Sequence, residues 1–408
     1  MKFNIILLFG HLITLPILVK SQNANQLEIL YKRTTSELLK ELPTHYDSLY
    51  RNPHFMPLHA ITNEIGYLGN YELGQKIDYC FYYKPTDTVW NQKDVDSLKL
   101  QYLNYKHLDA KEYILSMAKN KQITIINEAH NMPRHRVFTA SLLKGFYDLG
   151  YRYLGLEGLG DDSLLNAGYA PCKTTGFYIR DPQFGDMIRE AALLGFKFVK
   201  YEYDGDDWQS NRFKGEAENI KRILDVDPQT KILIHCGHGN GNKDTTSGNL
   251  AMGGSLMKLT GIAPLVIEQA YLNECSSKNY EESEYLALQS DISSVFVNDS
   301  GKILGSGDAY DLVVYHPRSK YVQGRPTWLL SYGDRKYYSI PIKKLNLTFP
   351  LIAVAYSIND DFENAVPVDI IELESIDDRK ALVLKKGMYK IFLRNANKQE
   401  TSFTKKIK

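Results

Sequence analysis

Five short apolar runs, each ending in an acidic residue or a histidine, restrict this chain more than any other feature. They are ITIINEAH from Ile123, YRYLGLEG from Tyr151, FKFVKYEYD from Phe196, KILIHCGH from Lys231 and APLVIEQAY from Ala263. YDLVVYHP, ending at His316 and Pro317, is a candidate sixth. Runs rich in β-branched and aromatic residues, without polar alternation, mark strands buried on both faces by helices. Between them lie helical patterns. Val137, Leu142, Phe146 and Leu149 precede Gly150, and Ile188, Ala191, Ala192 and Leu194 precede Gly195 after an Asp181-Pro182 start. A more polar helix over 209–224 carries Arg212, Glu216 and Asn219. This alternation predicts an α/β domain over residues 121–330, a mostly parallel sheet flanked by helices with right-handed crossovers. With about six strands, an open sheet is preferred to a closed eight-stranded barrel.

In open parallel sheets, ligands sit beyond the carboxyl ends of the strands. The polar endings therefore predict a single rim bearing Glu128, His130, Glu157, Glu202, His235, His238 and Glu268, with His135 one turn into the following helix. Imidazole beside carboxylate is the composition of a general base held in one tautomer. His130 is the candidate base and Glu128 or Glu157 its orienting acid. Arg212 would stabilise an oxyanion or grip an anionic group. His235 and His238 occupy a glycine-containing turn in which both rings could face one point. Glu202, Glu268 and Asn219 would shape the pocket, and His135 would act directly or in support. His130, His235, His238 and Glu157 could instead hold a divalent metal whose bound water is the nucleophile.

Other chemistries are disfavoured. There is no G-x-S-x-G elbow, and GGSLM around Ser255 reads as a helix start. In GHGNGNKDTTSG, Asn242 and Asp244 stand where a phosphate-binding loop needs glycine and Ser/Thr, and GxGxxG is absent. Lys plus Arg number 49 against 48 for Asp plus Glu, so no net field attracts nucleic acid or an acidic membrane.

The flanking segments differ in character. Residues 1–21 carry Lys2, an apolar core from Phe3 to Val19 and small residues at Val19 and Ser21. That pattern reads as a signal peptide cleaved after Ser21, giving a periplasmic or secreted chain with no membrane span after cleavage. Cys80, Cys172, Cys236 and Cys275 allow three disulfide pairings, with none singled out. Residues 22–120 read as a helical segment or cap, with PHFMPLHAI a loop that leaves His54 and His59 at the surface. HLDAKEYILSMAKNKQ supplies a helix into the first strand. Residues 336–408 run apolar or alternate in short lengths between turns and contain no histidine, which predicts a small β-rich accessory domain.

Three of these stretches resemble known motifs. NEAHNMPRHR resembles the opening motif of ChaN-like haem-binding uptake proteins, with Asn127 where those have glycine. RFKGEAEN resembles the arginine helix of erythromycin esterase-like proteins, matching at Arg212, Ala217 and Asn219 and carrying Glu216 in place of methionine. IHCGHGN is similar to the strand-end histidine motif of the same families. Over residues 123–326 the chain thus resembles the group that joins erythromycin esterase-like, ChaN-like and Tiki-type proteins. The esterase-like members imply hydrolysis by a histidine base, the Tiki-type members a metal-dependent protease and the ChaN-like members haem binding. The expectation is an exported hydrolase cleaving an ester or amide bond in a small-molecule or peptide substrate. The alternative is a non-catalytic haem- or metal-binding uptake protein, with tyrosines as axial ligands.

Overall fold

A computed structural model describes residues 30–42, 55–82, 91–160, 168–246, 248–344 and 347–408. Residues 1–21, read as an export signal, and His54 lie outside them. No helix among the described residues is long and apolar enough to cross a membrane.

The α/β layer is built on an open eight-stranded sheet in the order β1-β7-β8-β6-β2-β5-β3-β4. Its strands are β1 (Tyr105–Asp109), β2 (Ile123–Glu128), β3 (Tyr151–Leu156), β4 (Lys197–Lys200), β5 (Lys231–Gly237), β6 (Leu265–Leu272), β7 (Ser294–Asn298) and β8 (Leu312–Tyr315). The pairings from β8 to β4 are parallel, whereas β7 runs antiparallel to β8 and β1 antiparallel to β7. The sheet therefore has two more strands than the apolar runs suggested. Strand β1 begins inside the stretch expected to be helical, because His107 to Asp109 pair with β7 before the helix Ala110–Ala118 starts.

All six residues of β2 are buried, as a strand covered on both faces requires. Alternate side chains feed two cores. Ile126, Leu233 and Ile267 pack with helices Pro133–Asp148 and Pro182–Leu194, while Ile125, Ile234 and Val266 pack with Trp208–Val226 and Met252–Thr260. The chain leaving β2 enters the first helical layer, and the chain leaving the adjacent β5 enters the second. That reversal opens a crevice at the carboxyl ends of β2 and β5. Asp181 caps the helix Pro182–Leu194 through a 2.9 Å bond from Gln183 N–H, and Gly195 ends it at φ 90°, a conformation that only glycine adopts without strain.

The segment PHFMPLHAI is not a loop. Phe55–Tyr67 is helical and Pro57 is its third residue, where a missing N–H has no intrahelical acceptor to lose. His59 is consequently buried rather than at the surface. A second helix, Tyr71–Tyr82, packs against the first as a hairpin.

At the other end, β9 (Leu351–Ser357), β10 (Asp369–Leu373), β11 (Gly387–Asn395) and β12 (Glu400–Ile407) form an antiparallel sheet ordered β10-β9-β11-β12. One face, with Ile352, Val354 and Ile370, joins the main core; the other, with Leu351, Ala353 and Leu393, closes over its own. Buried Arg325 and Asp369 pair at 2.6 Å across the junction.

Candidate functional site

Strand register brings the polar endings together. Glu128 is level with Gly237, Asn127 with Cys236, and Leu156 with His235, so the ends of β2, β5 and β3 lie side by side. Glu128 is the hub. His130 Nδ1 lies 2.7 Å from its Oε1 and His235 Nε2 2.8 Å from its Oε2. Arg136, one turn into the helix after β2, donates Nε to Oε2 and Nη2 to Oε1, both at 2.7 Å. Burial alone would raise the Glu128 pKa, but the Arg136 charge and the two imidazoles outweigh it and hold the carboxyl well below the usual range. An ionised carboxylate only accepts, so both histidines donate to it. His130 thus engages Glu128 through Nδ1, leaving Nε2 to face outward, and its side chain remains 18% exposed.

A second carboxylate lies on the Nε2 side of the ring. Glu157, just past β3, accepts from Arg212 Nη2 at 2.7 Å, from Asn240 Nδ2 at 3.1 Å and from the Gly237 N–H. Burial pushes its pKa up, and Arg212, His130 and the Gly237 N–H bring it net below the ordinary value. A Cβ on Gly237 would lie 2.8 Å from His130 Nε2 and 2.9 Å from Glu157 Oε2. His130 Nε2 and Glu157 Oε2 thus converge on the same side of Gly237. An imidazole and an ionised carboxylate so placed can take a proton from a reacting group and stabilise the charge that results.

Arg212 also donates Nε to Glu216 at 2.8 Å, and its guanidinium lies over the Trp208 and Phe213 rings. Glu216 is the acid standing where the resembled helix has methionine; burial lifts its pKa to about 7 despite Arg212. Burial and the charges of Glu157 and Glu216 raise Glu202 to about 8, and Glu202 accepts the Gly158 N–H at 3.0 Å. Asn219 does not reach the centre. It donates to the Tyr201 and Glu202 carbonyls at 3.0 Å and fixes the loop that carries Glu202.

His235 and His238 do not face one point. They stand three positions apart where an extended strand alternates every two, so His235 turns inward to Glu128. His238 is 62% exposed, with its Nδ1 3.6 Å from Glu268 Oε1. Glu268 accepts from Asn127 and from the Ala270 N–H, so the asparagine in place of glycine ties β2 to β6. His135 is a supporting residue. Its Nδ1 accepts the Ala129 N–H and its Nε2 faces Asn273 Oδ1, both at 3.0 Å, and burial lowers its pKa to about 4. The neutral ring braces the turn that presents His130.

The set His130, His235, His238 and Glu157 does not fit a metal. Among the described residues no three His, Cys, Asp or Glu side chains are grouped to hold an ion. His235 Nε2 is engaged by Glu128, and His238 Nδ1 is turned to Glu268.

Sequence reasoning missed Arg136, Asp181, Asn240, Tyr178, His59 and Asp78. Arg136 binds Glu128 and Asp181, all three buried. A cation in line with apolar Ala140 and Leu143, four and seven positions on, is a signal in the sequence; the long-range partners left none.

No family model matches the chain, and no curated protein matches it. Among solved structures, the type III effector HopBA1 aligns over 53% of this chain and 98% of its own at 12% identity, with a TM-score of 0.32. At that score the likeness does not establish a shared fold.

Proposed function

We propose that this protein is a hydrolase of the erythromycin esterase-like group that cleaves an ester or amide bond with water activated by His130. Support comes above all from the pair over Gly237: His130, held through Nδ1 by Glu128, and the ionised Glu157 converge beside one backbone position at the sheet rim. In this reading the water gives a proton to His130 Nε2 as its oxygen attacks the carbonyl carbon. Glu128 stabilises the resulting imidazolium, Arg212 faces the developing oxyanion, and His130 returns the proton to the leaving group. Glu202, protonated at neutral pH by its raised pKa, keeps the pocket from accumulating negative charge beside Glu157. The signal-like residues 1–21 support export of the mature chain.

The test is His130→Ala in purified full-length protein against a panel of p-nitrophenyl esters and peptide amides. Loss of at least about tenfold in kcat/KM, roughly 1.4 kcal/mol, is expected. Activity within tenfold of wild type, or a wild type inert on the whole panel, would overturn the reading.

A further inference from the structure

The hydrogen bond to Glu128 fixes one atom of the His130 ring and leaves the ring plane free to turn about that contact. The plane is set from elsewhere. Tyr178, in the short 3-10 turn before the second helix of the α/β layer, stacks on His130 with ring centroids 3.6 Å apart and planes 12° from parallel. Tyr178 is buried, and its hydroxyl lies 3.2 Å from His59 Nε2. His59 Nδ1 in turn lies 2.6 Å from Asp78 Oδ1. Asp78 also accepts from Thr62 Oγ1 at 3.0 Å and from Asn131 Nδ2, next to His130, at 2.8 Å. With donors on both of its oxygens Asp78 acts as an acceptor, so His59 donates to it from Nδ1 and its Nε2 accepts from the Tyr178 hydroxyl and from Asn63 Nδ2, each at 3.2 Å.

We propose that Tyr178, anchored by His59 and Asp78 of the N-terminal helical hairpin, is a positioning residue that holds the His130 ring with Nε2 on the Glu157 side. The hairpin is then part of the reaction centre rather than a cover over it. A phenol face against the imidazole also favours the ring once it has taken a proton, as a cation–π contact does. The kinetic side of this proposal rests on the hydrolase reading; the ring geometry does not.

The test uses full-length protein labelled with 13C-histidine, with the His130 signals identified by their loss in His130→Gln. Stacking predicts an upfield ring-current displacement of the His130 ring protons in wild type. Tyr178→Leu removes it and lowers kcat on p-nitrophenyl acetate about tenfold or more with KM within twofold, because the base is misaimed while binding is kept. Tyr178→Phe and His59→Phe delete the same hydrogen bond. Each reduces the displacement by a similar amount, and the double variant adds nothing further. Unchanged His130 signals in Tyr178→Leu would overturn the stacking role, and unchanged signals in His59→Phe the anchor. Should Tyr178→Leu not fold by circular dichroism, the two phenylalanine variants decide. Retained activity in His130→Ala would instead sink the hydrolase reading and leave the resonance result standing.

Discussion

Gly237→Ala tests the centre with a single methyl group. The backbone there is not in the left-handed region, so alanine introduces no conformational strain of its own. Its Cβ would meet His130 Nε2 at 2.8 Å and Glu157 Oε2 at 2.9 Å, where ordinary contact begins at 3.4 Å. Each atom must retreat by about 0.5 Å, so together they can part by about 1 Å. Neither side chain moves freely, since His130 is held by Glu128 and Tyr178, and Glu157 by Arg212 and Asn240. Misplacement on that scale costs roughly a hundredfold in rate, about 2.7 kcal/mol. The overpacking should remove about 1–3 kcal/mol of stability, leaving a folded protein to assay. The measurement is kcat/KM on p-nitrophenyl acetate beside thermal melting, with Gly307→Ala as control, because a Cβ at Gly307 meets nothing within 4 Å. A Gly237→Ala enzyme within threefold of wild type would refute the placement of the reaction centre between His130 and Glu157.

Two further predictions concern stability. Arg136→Met leaves Glu128 and Asp181 buried without their guanidinium and should lower the unfolding free energy in urea by about 3–5 kcal/mol; a loss below about 1 kcal/mol would mean that the two histidines suffice for Glu128. Burial and neighbouring acids hold Glu202 protonated up to about pH 8 in the folded chain, whereas an unfolded glutamate releases its proton near 4.5. The folded state binds more protons across that window, so this residue's contribution makes stability fall as pH rises from about 4.5 to about 8 and level off above. Glu202→Gln removes that slope and should gain on wild type as pH climbs. Parallel stability curves between about pH 5 and 9 would refute it.

The buried strands, their helices and the polar rim were legible because hydrophobic periodicity is a local property: ITIINE and KILIHCG each report their own burial. Strand β1 was misread because its pattern is weak, with His107 and Leu108 exposed and its order supplied by β7. The two prolines of PHFMPLHAI read as loop signals and put His59 at the surface, but Pro57 falls in a first helical turn, where proline is equally at home.

From its residues alone, this protein was committed to layered strands and helices with imidazoles and carboxylates at one sheet edge, since burial and turn chemistry are written in neighbouring positions. Only the tertiary structure decided which of them meet. Glu128 with His235, Tyr178 with His59, and Arg136 with Asp181 are separated by 107, 119 and 45 positions. Such pairings depend on strand order and register, which no local pattern encodes, and on the four acceptor positions of one buried carboxylate, which determine which nitrogen of His130 is engaged.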